Sequence, residues 1–207
     1  MSKPRGSART DILNTAERLF AENGIENVSL RSINAEAGYS AAALHYHFRT
    51  RGKLIETLLL ERQQPVMNLR AELLHSYGKE GCSGVVALAE ALVLPFAQLV
   101  LSEPEQGLIS VKFFFRAYVA QDQLSWVRKS TEESLKIFDP LLAQVLTELD
   151  KKTRRTRWLL ATELMFQGLA NMDTIMKTTV QAESRKNRER YIETLINFVA
   201  GGLQYSA

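Results

Sequence analysis

The chain of 207 residues is 45% hydrophobic and 24% charged with a net charge of +3, enough apolar content for a substantial core in one or two domains and unlike a disordered or fibrous chain. No uninterrupted apolar run approaches the roughly 20 residues that span a bilayer, and the start MSKPRGSARTD lacks the apolar stretch of a secretory leader, so a cytoplasmic protein with no membrane partner is expected. The single cysteine, Cys82, excludes an internal disulfide and a cysteine-built metal cage.

The positive charge is unevenly spread. Residues 1–53 hold eight Lys/Arg against five Asp/Glu, and the remainder balances at 18 of each. A basic front end on a neutral body suits a module that binds a polyanion.

Apolar spacing is helical almost throughout, which predicts an all-α protein. In TDILNTAERLFAENG, Ile12, Leu13, Ala16, Leu19 and Phe20 fall on one helix face; Thr10 or Asp11 can cap its start, and Gly24 can supply a left-handed stop. SLRSINAEAG places an N-cap at Ser29, Ile33 and Ala37 one turn apart, and a stop at Gly38. Ser40 then caps a third short helix that turns Leu44 and Phe48 inward. Two short helices joined by Gly38-Tyr39 behind a longer one form the helix-turn-helix pattern, in which the later helix enters the major groove. A three-helix packing with no nucleic acid would have the same spacing.

The third helix carries His45, Tyr46 and His47. Two residues apart, the histidines point about 200° from one another, whereas helical chelating pairs use i and i+4. No further His or Cys completes a ligand set, and no Ser, Cys or paired carboxylate stands at a catalytic offset, so neither a metal site, a cofactor nor an enzyme activity is expected.

Residues 12–58 resemble the DNA-binding domain of TetR-family transcriptional regulators. The resemblance rests on ILNTAERLFAENG, VSLRSINAEAGYS, ALHYHF, and a basic residue followed by LIETLL. The later part is similar only in layout. The resemblance implies a double-stranded DNA operator, a small-molecule effector and a homodimer formed by the last two helices, with two heads roughly 34–36 Å apart on a near-palindromic site.

It also implies roles for individual residues. Ser29 and Ser40, with the helix starts behind them, can hold phosphates. Tyr46 matches a position whose phenol hydrogen-bonds the DNA backbone, while His47 packs with Phe48. His45 stands where many members carry a tyrosine, and its contact is to a base edge or a phosphate. Ala41, Ala42 and Ala43 make no bidentate bond to a base; they either let the helix approach thymine methyl groups or simply favour the helix. Arg31 and Arg49 can supply polar contacts. Arg51 occupies the position of a phosphate-binding lysine, with Lys53 close by. Lys3, Arg5 and Arg9 form a basic arm, either reaching an adjacent groove or solvated.

The expected division is a DNA-binding domain over residues 1–53 and a helical ligand-binding and dimerisation domain over 54–207, with about nine helices in all. The fourth helix is expected from Arg51 to Ser76 with a kink at Pro65. GKEGCSG reads as a loop, residues 83–101 as a central helix apolar nearly all round, and Pro104 as the start of the next helix. A helix from Gln121 to Leu149, bent at Pro140, precedes two wide-faced helices, Lys152–Met176 and Arg188–Leu203, whose surplus apolar surface suits a two-fold partner. Phe114, Tyr118, Trp126, Trp158, Met165 and Gln167 are the candidate lining of an adaptable, largely apolar pocket. The basic runs KKTRRTR and SRKNRER read as solvated helix ends that would also suit a small anionic ligand or an acidic partner.

Overall fold

The computed structural model describes residues 5–80, 84–120, 125–179 and 184–205. Among these residues there are helices and no strand. In chain order they are α1 (Arg5–Asn23), α2 (Leu30–Ala37), α3 (Ala41–Phe48), α4 (Arg51–Glu80), α5 (Val85–Ser102), α6 (Pro104–Val119), α7 (Ser125–Val145), α8 (Lys151–Ala170), α9 (Met172–Thr179) and α10 (Arg185–Gln204). Cys82, Lys3 and the side chains of Arg5 and Trp126 lie outside the described residues.

The first three helices close a small core from the positions that the spacing selects. Ile12, Leu13, Ala16 and Phe20 of α1, Ile33 of α2, and Leu44 and Phe48 of α3 are all buried. Helix α1 begins before the expected cap at Thr10 or Asp11, so the expected arm is helical from Arg5 onward. Arg9 is engaged there: it pairs with Glu61 of α4 and its guanidinium lies 5.8 Å from the Phe48 ring centroid.

Helix α4 runs on through Glu80, past the expected end at Ser76 and without interruption at residues 53–54. Pro65 sits inside it and is exposed, and its missing N–H leaves the Glu61 carbonyl without its helical donor. Helix α5 is the central element. It is the one described helix long and apolar enough to cross a membrane, but Leu88, Ala89, Ala91, Leu92, Val93, Phe96, Ala97 and Val100 are buried in the bundle, as expected of a core helix.

Helices α5 and α6 meet so closely that one position admits only glycine. A Cβ placed on Gly107 would lie 2.1 Å from the Leu99 carbonyl oxygen and 2.6 Å from the Val100 nitrogen, both backbone atoms. Helix α10 packs on α5 and α8, and the Tyr191 hydroxyl donates to the Gly168 carbonyl at 2.7 Å.

The expected helix Lys152–Met176 is two helices, which raises the number among the described residues to ten. The break is at Asn171, whose side-chain amide donates to the Gln167 backbone carbonyl at 3.0 Å and to its Oε1 at 3.0 Å. Local bonding of this kind competes with the helix ladder. Helix α7 also stops earlier than the expected Leu149, because Asp150 is already the N-cap of α8, accepting from Thr153 N at 2.9 Å. Its carboxyl is held below the usual carboxylate range by the bonds from Thr153. The final helix starts at Arg185 rather than Arg188, capped by Ser184.

Candidate nucleic-acid interface and body cavity

The α2–α3 unit is built by caps at both starts and one glycine between them. The Ser29 side chain accepts from Ser32 N at 3.0 Å, and Ser32 Oγ accepts from Ser29 N at 3.0 Å, a reciprocal capping box. Gly38 takes φ +72°, a left-handed conformation that releases the chain from α2 while its N–H still donates to the Asn34 carbonyl at 3.0 Å. Ser40 Oγ then accepts from Ala43 N at 3.2 Å to start α3. The unit is tied to α1 by Tyr39, whose hydroxyl donates to Asp11 Oδ2 at 2.7 Å, and by the Arg18–Glu36 pair at 2.5 Å.

With Leu44 and Phe48 buried, the outer face of α3 presents Ala41, Ala42, His45 and Tyr46, the last 77% exposed. Ala43 and His47 are half-buried at its edges. The His47 ring stands edge-on to Tyr46 at 5.1 Å between centroids and tilted to Phe48 at 6.0 Å, so it packs at the helix end. Arg31, Arg49 and Lys53 are exposed around this face, Lys53 pairing with Glu56 at 3.0 Å.

Arg49 has φ +57° and ψ −50°, the only positive φ at a non-glycine among the described residues. Thr50 N donates to the Phe48 carbonyl across it at 2.5 Å. This is a γ-turn of the rare positive-φ kind, which carries strain. Replacing Arg49 by glycine is therefore expected to raise the stability of the protein by about 1 kcal/mol, read as a higher urea midpoint.

Arg51 is a correction. Its guanidinium is turned into the head rather than out to a phosphate: Nε donates to the Val28 carbonyl at 2.8 Å, Nη2 donates to the Ile25 carbonyl, and the group lies 5.8 Å from the Phe20 ring centroid. The loop between α1 and α2 leaves carbonyls without helical donors, and a long side chain at the first residue of α4 supplies them.

Head and body share a buried carboxylate. Glu17 of α1 is fully buried; its Oε2 accepts from Arg62 Nε of α4 at 2.9 Å and from Gln106 Nε2 of α6 at 3.0 Å, while its Oε1 accepts from Ser110 Oγ of α6 at 2.7 Å. Three donors on two body helices thus converge on one acceptor of the head.

A cavity of about 90 Å³ lies in the body between α4, α5, α6, α7 and α8. Of the expected lining, Phe114, Tyr118 and Met165 face it. Trp158 does not: it is buried behind, stacked on Phe138 at 4.1 Å between ring centroids. Gln167 is exposed and accepts from Asn171 instead. Phe166 faces the cavity too, and residues not anticipated complete the wall, among them Phe96, Thr162, Gln63 and Arg70; Gln63 Nε2 donates to Ser130 Oγ at 3.0 Å between α4 and α7. Among the described residues no group of three or more His, Cys, Asp or Glu is placed to hold a metal.

Family models match both parts of this layout. Residues 12–58 match the bacterial regulatory proteins of the tetR family, and residues 90–202 match the tetracyclin repressor-like C-terminal domain. The chain belongs to the TetR family. As a TetR-family protein it is a DNA-binding transcriptional regulator and not an enzyme. It is 36% identical over 56 residues to the HTH-type transcriptional regulator UidR of Escherichia coli (strain K12), a stretch that spans 27% of this chain and only 29% of UidR.

Solved structures share the fold over nearly the whole TetR-family chain. A TetR-family transcriptional regulator from Rhodococcus sp. aligns with a TM-score of 0.57 at 16% identity, covering 94% of this chain and 99% of that one. NalD of Pseudomonas aeruginosa, the secondary repressor of the MexAB-OprM multidrug efflux pump, aligns with a TM-score of 0.52 at 20% identity, covering 94% and 97%.

Proposed function

We propose that this TetR-family regulator is a cytoplasmic repressor that binds a near-palindromic operator as a homodimer and leaves it when a small, largely apolar effector fills the body cavity. The observation that carries the reading is Glu17. It joins the head to α4 and α6, and both of those helices also wall the cavity, through Gln63 and Arg70 on α4 and Phe114 and Tyr118 on α6. A ligand that moves α6 must therefore move an acceptor on α1 or break its bonds. Coupling requires only that the effector bind better to the arrangement whose heads no longer match the operator.

The cavity is small beside the roughly 300–1,000 Å³ typical of ligand clefts. An effector larger than a few atoms widens it, and widening displaces the helices that hold Glu17.

On the DNA side, α3 lies in the major groove with its alanine face against the bases. His45 contacts a base edge or phosphate, and Tyr46, Arg31, Arg49 and Lys53 hold the backbone, assisted by the helix starts at Ser29 and Ser40. Sequence preference then leans on DNA shape, since alanines offer no bidentate bonds. Tyr46→Phe is expected to weaken operator binding by about 1 kcal/mol without changing the thermal midpoint, measured by fluorescence anisotropy and unfolding side by side. Equal affinity for both proteins would remove the phenol from the interface.

The dimer forms through α8 and α10. Leu160 is 64% and Phe198 69% exposed, on the two helices that the TetR layout pairs across a two-fold axis. Phe198→Glu is expected to shift the protein from about twice 23.4 kDa to the monomer mass in sedimentation equilibrium, and to lower operator affinity with it. Selection from random duplexes should enrich an inverted repeat, and its loss on adding effector in a gel-shift assay tests the release step.

A further inference from the structure

Arg70 is the most unusual group in the body. It is only 7% exposed, in the wall of the cavity, and among the described residues no Asp or Glu pairs with it. Part of its guanidinium has a structural task. Pro95 of α5 lacks the N–H that would bond the Ala91 carbonyl four residues earlier, and Arg70 Nε donates to that carbonyl at 3.0 Å, with Nη2 at 3.5 Å from the Leu92 carbonyl. Among the described residues its Nη1 meets only the Met67 sulfur, at 4.0 Å.

That task explains a donor but not a charge. A neutral amide could serve the orphaned carbonyl, whereas a guanidinium brings a cation into apolar surroundings at considerable cost unless an anion meets it. The rings of Phe96 and Phe138, at 5.6 and 5.8 Å from its central carbon, offset some of this. Burial pushes its pKa down to about 10, which still leaves the side chain protonated at neutral pH. Around the cation the cavity offers an aromatic wall from Phe96, Phe114 and Phe166, and hydroxyls from Ser130, Ser134 and Thr162.

We infer that the effector is an amphipathic carboxylate, with its apolar body among the phenylalanines and its anionic head against Arg70. This rests on the cavity being the effector site, as proposed above. The carboxylate gives the unused N–H groups of the guanidinium charge-assisted bonds and supplies the counter-charge that the protein omits. A neutral ligand of the same shape gains the apolar contacts only.

The test uses the full-length dimer and straight-chain monocarboxylates from butanoate to decanoate, each paired with its primary amide, in isothermal titration calorimetry below their micellar concentrations. At the best chain length the acid is expected to bind about tenfold or more tightly than the amide, with one site per subunit. Arg70→Lys keeps a charge and should retain most of that preference; Arg70→Gln keeps a donor for Ala91 and should abolish it while still binding the amide. Acid and amide binding equally well would overturn the carboxylate and leave an apolar effector standing. No saturable binding by any member of either series would overturn the cavity as the effector site as well. Because acid and amide are compared on the unaltered protein, a variant that fails to fold leaves the test decisive.

Discussion

Glu17→Ala is expected to lower the unfolding free energy by about 3 kcal/mol, seen as a fall in urea midpoint at unchanged slope. Removing one partner of a buried, hydrogen-bonded charge costs more than the pair contributes, because the remaining donors are stranded. Ser110, itself buried, and the half-buried Gln106 lose their acceptor. Arg62 is less affected, since it is 28% exposed and also donates to Asn14 Oδ1 at 2.5 Å, which keeps the estimate at the lower end of the range for broken buried pairs. Glu17→Gln retains shape and one acceptor oxygen and is expected to lose less. Its use is functional: a head held by weaker bonds should answer the effector less, so the ratio of operator affinities with and without effector should shrink even where folding is intact.

The second large effect is expected at Gly107. An alanine there would put its methyl carbon 2.1 Å from a backbone oxygen of α5, and backbone cannot step aside as a flexible side chain can. Helices α5 and α6 must separate, and Phe113, buried on α6 and stacked with Phe20 of α1 at 6.1 Å, must follow. Gly107→Ala should therefore cost about 3 kcal/mol, at the upper end for overpacked cores, with the thermal midpoint as readout. Gly168→Ala makes a useful contrast. Its new methyl would meet only the end of Leu195 at 2.8 Å, a side chain free to rotate, and the loss should be smaller.

Much of the head was legible because local rules decide it. Ser29, Gly38 and Ser40 are caps and a left-handed turn whose chemistry does not depend on distant partners, and Ile33, Leu44 and Phe48 follow from helical spacing alone. What the sequence hid is charge in the apolar phase. Glu17 lies four residues after Leu13, and Arg70 four after Val66, each one turn from a buried apolar residue on the inward side of its helix. Each breaks the pattern, and each marks a place where distant elements meet, but the partners, Ser110 and the Ala91 carbonyl, are far away in the chain. A charged residue at a buried register position is the signal that would have found both.

The cavity was harder for the same reason. Trp158 and Gln167 share α8 with Met165, yet only Met165 reaches the void, because the helix rotates about 100° per residue and the stacking of Trp158 on Phe138 turns it toward α7. Aromatic content identifies a candidate wall but not which side of it is empty. Arg51 misled differently: a basic residue just after the recognition helix suits phosphate, and nothing local reveals that the α1–α2 loop presents two carbonyls to it.

Whether α3 of a paired head reads DNA is tested by selection of the protein on random duplexes, followed by affinity of the winning site across a salt series. An inverted repeat with half-sites about one helical turn apart, bound by two subunits and weakening steeply and linearly in log salt, is the predicted result. Recovery of no common site, with uniform weak binding to every duplex, would contradict it.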